Sequence, residues 1–127
     1  MRARQEESDG CRCGVEATLS VIGGKWKLLL IWFLGEGTQR FNQIRRNFPE
    51  ISQKVLTQQL RELEADGVVD RAVFAQVPPR VEYSLTAFGL SLQPVVECMD
   101  AWGDENGERL LALRRIRDER RSSGHTG

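Results

Sequence analysis

Apolar residues recur along this chain with two periods. Between Ile51 and Gly67 the period is helical: Leu56, Leu60 and Leu63 fall at i, i+4 and i+7 and make one apolar stripe. Ser52 is placed to cap the start of that helix, and Gly67 to stop it just past its end. After Gly67 the pattern changes. Val68 to Phe74 is rich in β-branched residues, and Val81, Tyr83 and Leu85 alternate with Arg80, Glu82 and Ser84, a strand period of two. Between these runs lies Gln76-Val-Pro-Pro-Arg80. Two prolines cannot donate ladder hydrogen bonds, so this stretch is predicted to be the tip of a hairpin, with Arg80 on it.

The remaining elements follow from the same reading. Residues 1–10 are polar, without an apolar period, and are expected to form a flexible arm. Val15 to Ile22 predicts a short helix stopped by Gly23-Gly24. Lys25 to Leu34 predicts a helix that is apolar nearly all round and so belongs in the centre of a core, its tryptophans Trp26 and Trp32 included. Gly35 and Gly37 end it. Arg40 to Phe48 predicts a third helix with Phe41, Ile44 and Phe48 on one face, broken before Pro49. Thr86 is a cap for a terminal helix along which Phe88, Leu92, Val95, Met99 and Trp102 share one side. Pro94 is expected to kink or split it, and Gly103 to break it. Leu110, Leu111, Leu113 and Ile116 give a second apolar patch, and 121–127 is expected to be a disordered tail. One domain of 11–120 results, α+β and mainly α: a winged helix-turn-helix with a two-stranded β-wing and a terminal dimerisation helix.

The polar face of the helix at Ile51–Gly67 directs the functional reading. Gln53, Thr57 and Arg61 stack four residues apart, with Lys54 and Gln58 beside them. In the DNA major groove Gln amides can pair with adenine edges, Arg guanidinium with guanine edges, and Thr can contact either a base or a thymine methyl. A Gln-rich solvated helix has the same composition. The context favours DNA, because the preceding helix and a turn of a few residues make a helix-turn-helix.

Charge changes this picture only locally. The chain of 127 residues has a formal net charge of zero and a hydrophobic fraction of 40%, enough for a globular core. Basic residues run from Arg40 through Arg45, Arg46, Lys54, Arg61 and Arg71 to Arg80, while acidic ones gather at Glu6, Glu7 and Asp9 and from Glu97 to Glu108. One basic face on a neutral molecule is therefore expected. The longest apolar run, Leu28 to Leu34, is short of the roughly 20 residues of a membrane span, and no signal region follows the N-terminus. A cytoplasmic location without a membrane partner is expected, where the three cysteines stay reduced.

With the elements placed, four segments resemble the HxlR-type family of bacterial winged-helix regulators, relatives of the MarR-type group. They are Val21-Ile-Gly-Gly-Lys-Trp-Lys27, Arg40-Phe-Asn-Gln-Ile44, Ile51 to Leu63 and Val77 to Thr86. The resemblance runs from about Cys13 to Trp102. It implies a homodimer on a palindromic operator, with Ser52, Gln53, Lys54, Thr57, Gln58 and Arg61 on the recognition helix and Arg80 at the wing tip. Arg40 and Asn42 join them as DNA-contacting candidates from the preceding helix. Phe88, Leu92, Val95, Val96, Met99 and Trp102 carry more apolar surface than one side of a lone helix needs, and are expected to hold the dimer.

The resemblance also implies, in some members, a cysteine near the first helix that senses oxidants or electrophiles. Cys13 occupies that place, although Gly14 stands where proline is common and Cys11 is an added neighbour. The helix dipole and Arg12 favour a reactive thiolate at Cys13, and Cys11 is a candidate partner thiol. The alternative is that Cys13 is an ordinary small apolar residue. An enzyme is not expected. The only histidine, His125, lies in the tail, Glu62 and Glu64 lie on different sides of their helix, and no set of four zinc ligands forms, so neither metal nor cofactor is expected. The competing reading is a winged helix that binds protein rather than DNA, which the polar, basic reading face disfavours.

Overall fold

The computed structural model of the chain describes residues 13–125; the arm 1–10 and Cys11 lie outside them. The described residues form two compact units, one as far as Gln93 and one from Pro94 onward. In chain order the elements are helix α1 (Cys13–Ile22), α2 (Trp26–Leu34), strand β1 (Gln39–Arg40), α3 (Phe41–Asn47), α4 (Gln53–Ala65), β2 (Val69–Phe74), β3 (Arg80–Leu85), α5 (Ala87–Leu90) and α6 (Gln93–His125). The sheet is antiparallel with order β1-β3-β2. No single helix among the described residues is long and apolar enough to cross a membrane.

The core of the first unit is a helix-on-helix packing closed by the sheet. Leu30, Ile31 and Leu34 of α2, Ile44 of α3, Leu56, Leu60 and Leu63 of α4, and Val68, Val69 and Tyr83 of the wing base are all buried. Phe48 and Ile51 seal the turn between α3 and α4. The Phe48 ring meets Trp26 and Phe33 edge-to-face, with centroids 6.4 and 5.6 Å apart, a favoured geometry for aromatic pairs. The α2 helix is less enclosed than its composition implies: Leu29 and Trp32 keep 39% and 46% of their surface exposed in the single chain.

The start and end of α4 are fixed by local chemistry. Ser52 Oγ accepts from the Val55 N–H at 3.1 Å, the side-chain cap its sequence position predicts. At the other end Gly67 adopts φ of 76°, a left-handed conformation open to glycine. The Val68 N–H then donates to Leu63 O at 2.9 Å and the Gly67 N–H to Glu64 O at 3.0 Å, the paired bonds of a Schellman stop. The chain passes straight into β2. Thr86, after β3, ties this junction together: its N–H donates to Val68 O at 3.0 Å and its Oγ1 donates to Gly67 O at 2.6 Å. That hydroxyl also accepts from the Gly89 N–H at 2.9 Å, capping α5.

Several expectations are corrected. The sheet has a third strand, because Gln39 and Arg40 pair with Tyr83 and Glu82 on the open edge of β3; two residues carry no readable period. The terminal helix divides at Ser91–Leu92 rather than at Pro94, leaving Phe88 on the one-turn α5. Pro94 falls in the first turn of α6, where a missing N–H costs nothing. From Gln93 to His125 the helix is continuous through Gly103 and on through residues expected to be a tail. A glycine in a helix interior costs about 1 kcal/mol, too little to break a run of Leu, Ala, Arg and Glu. Along α6, Met99 and Trp102 are exposed, Val95 is half-buried, and Val96, expected at a dimer surface, is buried.

Two substitutions test this packing. Leu60→Ala empties a fully buried site and is expected to lower unfolding stability in urea by about 2–5 kcal/mol. Gly89→Ala places a methyl well inside contact distance of the Val68 carbonyl, so it is expected to destabilise although alanine is the better helix former. A Gly89→Ala midpoint at or above that of wild type contradicts the close approach of α5 to the Val68 carbonyl.

Candidate nucleic-acid interface

The buried stripe of α4 determines what its other face does. With Leu56, Leu60 and Leu63 turned into the core, the 3.6-residue period turns Gln53, Lys54, Gln58 and Arg61 outward. Thr57 is half-exposed between them. These five residues, with Glu62 and Ala65, line one open concavity. Ser52 is exposed at its N-terminal end. The predicted recognition residues therefore share one accessible surface.

Glu62 adds a feature that the sequence reading passed over. Its Oε1 lies 2.6 Å from Lys27 Nζ on α2, and its Oε2 accepts from Gln58 Nε2 at 3.3 Å. The Lys27 side chain is only 12% exposed, so the pair joins α2 to α4. The Lys27 ammonium, followed by the Gln58 amide, holds the Glu62 carboxyl below its ordinary value of 4.5.

The other candidates meet in a second cleft, between the start of α3 and the wing. Arg40 and Asn42 line it with Arg71, Gln76, Pro78, Pro79 and Arg80. Arg71 was legible as basic but not as a site residue, because only the β2–β3 register, Arg71 opposite Tyr83, brings it there. A third hollow is lined by Asn42, Arg45, Arg46 and Pro49. Arg40 is the N-cap of α3, and its N–H donates to Gln43 Oε1 at 2.7 Å. The basic span is not free of acid, since Glu50, Glu62, Glu64, Asp66 and Asp70 also fall between Arg40 and Arg80. The positive character belongs to these faces rather than to the whole segment.

Arg80 corrects its prediction. It is the first residue of β3, opposite Phe74, and not the tip of the hairpin. Its guanidinium carbon lies 4.2 Å from the Phe74 ring centroid and its Nε 3.1 Å from Glu82 Oε2, without a hydrogen bond at Nε. Glu82 also stands 4.0 Å from Arg40 Nε. The tip itself carries Val77, fully exposed, and the two prolines. Cys13 is exposed at the first residue of α1, and Cys98 is exposed on α6.

This arrangement of the capped helix α4, the preceding basic helix α3 and the wing can be compared with known proteins. A family model described as HxlR-like helix-turn-helix matches residues 21–110. The chain belongs to the HxlR-like helix-turn-helix family. Among HxlR-like relatives, the uncharacterized HTH-type transcriptional regulator YybR of Bacillus subtilis (strain 168) is 56% identical over 102 residues, which are 80% of this chain and 82% of that protein. The solved structure of the redox regulator HypR in its reduced form matches with a TM-score of 0.75 and 56% identity, over 78% of this chain and 98% of that one. The reduced form of the transcriptional regulator YodB from B. subtilis matches with a TM-score of 0.63 and 41% identity, over 71% and 88%. The HxlR-like family is one of DNA-binding transcriptional regulators, and this chain is a member with the winged-helix fold.

The Lys27–Glu62 pair makes a signed prediction. A carboxyl depressed in the folded state contributes stability above its unfolded value, and that contribution is lost as pH falls through the folded one. Wild type is expected to exceed Glu62→Gln in stability at neutral pH, with the gap closing as pH drops below 4.5. Thermal melts of both proteins across that range are the check. A gap that is constant with pH removes the ion pair as its cause.

Proposed function

We propose that the chain is a cytoplasmic regulator that binds a two-fold, palindromic operator as a homodimer, each subunit laying α4 in a major groove. The observation that carries this reading is the exposed face of Gln53, Lys54, Thr57, Gln58 and Arg61 on a helix whose opposite side is locked in the core. The wing cleft of Arg40, Asn42, Arg71 and Arg80 is suited to flanking phosphates, and Ser52 at the N-terminal end of α4 to a further backbone contact. Two-fold symmetry then sets the reading heads about 34–36 Å apart.

Selection of bound sequences from a random duplex pool, at stated salt, tests the assignment and returns the half-site. Changing Gln53 or Arg61 to Ala is expected to lose about 1–3 kcal/mol of discrimination at one base pair each, whereas Lys54→Ala weakens all sequences evenly. A folded Gln53/Arg61 double alanine variant with unchanged operator affinity would sink the reading.

Dimerisation is assigned to Phe88, Leu92, Val95, Met99 and Trp102, with help from α1. Its support is the exposure of Phe88, Met99 and Trp102, each above half, and of Val15 and Leu19 on α1. Sedimentation at micromolar concentration is expected to give a dimer; a persistent monomer that binds DNA one to one defeats this part.

Redox or electrophile control is assigned to Cys13, which is exposed at the start of α1; Cys11 is its candidate partner. HypR is described as a redox regulator, and this chain shares more than half its residues with it over the matched length. Diamide, peroxide or a quinone is expected to release operator DNA from wild type but not from Cys13→Ser. Retention of DNA by wild type whose thiols have reacted excludes Cys13 as the switch.

A further inference from the structure

Glu62 is an acid on a face that is to meet an anionic ligand. It lines the same concavity as Gln53, Lys54, Thr57, Gln58 and Arg61. A carboxylate there opposes DNA binding unless its charge is matched. Lys27 matches it from the core side, 2.6 Å from Oε1 and shielded from solvent. The second oxygen of the carboxylate remains available as an acceptor.

That second oxygen, Oε2, takes a hydrogen from Gln58 Nε2 at 3.3 Å. A tether between α2 and α4 needs only one oxygen, so the contact with Gln58 is additional to it. A glutamine amide has two hydrogens and one oxygen. When Glu62 takes the hydrogen anti to Oε1, the syn hydrogen and Oε1 remain side by side, and the contact biases their order in space. Donor plus acceptor on one amide edge is the set that matches adenine N7 and N6 in the major groove. An unheld glutamine presents either edge and loses rotamer freedom on binding.

We propose that Glu62, anchored by Lys27, is a positioning residue that fixes the amide of Gln58 and thereby sets the base preference at the one base pair Gln58 reads. This rests on the reading of α4 as the groove helix.

The test is selection of bound duplexes by the full chain, as wild type, Gln58→Ala, Glu62→Ala, Glu62→Asp and the Gln58/Glu62 double alanine. Melting curves are recorded for each. Gln58→Ala and Glu62→Ala are expected to lower preference at the same single base pair by roughly five- to hundredfold, leaving other positions intact. The double variant is expected to be no worse there than either single one. Glu62→Asp keeps a charge for Lys27 but draws the carboxylate back by one methylene. Its loss is expected to be smaller and confined to the same base pair, which decides the matter if Glu62→Ala does not fold.

If the Glu62 variants melt lower or weaken every sequence equally while base preference stands, and Gln58→Ala does change it, Glu62 is only a tether and the proposal falls alone. If wild type selects a site and Gln58→Ala alters no base preference, the positioning role and the reading role of Gln58 fall together. If wild type selects no sequence, the groove-helix reading itself has failed.

Discussion

Burial of the leucine stripe on α4 is the constraint on which its exposed polar face depends. Leu56, Leu60 and Leu63 are fully buried, and each such side chain contributes about 1.5–3 kcal/mol relative to exposure. Rotating α4 by even part of a turn exposes one of them and buries an amide or a guanidinium without a partner, which is costly. The apolar side therefore holds the polar side in register. Specific recognition needs side chains placed to within a fraction of an ångström, and the proposed reading of α4 would draw that accuracy from behind, by packing.

The ends of α4 extend the same constraint to the elements on either side. Before it, Phe48 is gripped edge-to-face by Trp26 and Phe33, so the turn that sets α3 against α4 is anchored in the core. After it, the Schellman stop at Gly67 and the Thr86 hydroxyl bind the helix terminus to the base of the wing. The strand pair leaving that base carries Arg71 and Arg80 back toward Arg40 and Asn42. The basic cleft is thus a consequence of where α4 ends, and a change in the Gly67–Thr86 junction displaces the wing as a body.

What could be read from the sequence is what periodicity encodes. The helix-turn-helix, the Ser52 cap, the Gly67 stop and the exposure of the polar face of α4 follow from apolar spacing and one-residue signals. What could not be read depends on partners distant in sequence. The pairing of Gln39 and Arg40 with β3 depends on register, as does the arrival of Arg71 beside Arg80. Arg80 itself followed the proline signal to the tip, but Phe74 and Glu82 hold it on the strand. The Lys27–Glu62 contact joins residues on two helices, and no local pattern marks Glu62 as other than a solvated charge. Gly103 shows the opposite error, a local breaker outweighed by the helix formers around it.

These pairings bear on how a molecule of zero net charge can read DNA. Non-specific affinity comes from cations that neutralise phosphates and release counterions. Here Arg80 is engaged by Glu82 and the Phe74 face before any DNA arrives. Phosphates must compete with carboxylates for Arg80, which lowers its return from any duplex, matched or not. In the proposed reading Gln53, Thr57 and Arg61 meet base edges, which only a matched sequence satisfies. Pairing part of the basic surface internally therefore lowers the common background more than the specific contact. The ratio between the two is what a regulator needs among many competing sites. Zero net charge is then compatible with DNA binding, and it favours selectivity over raw affinity.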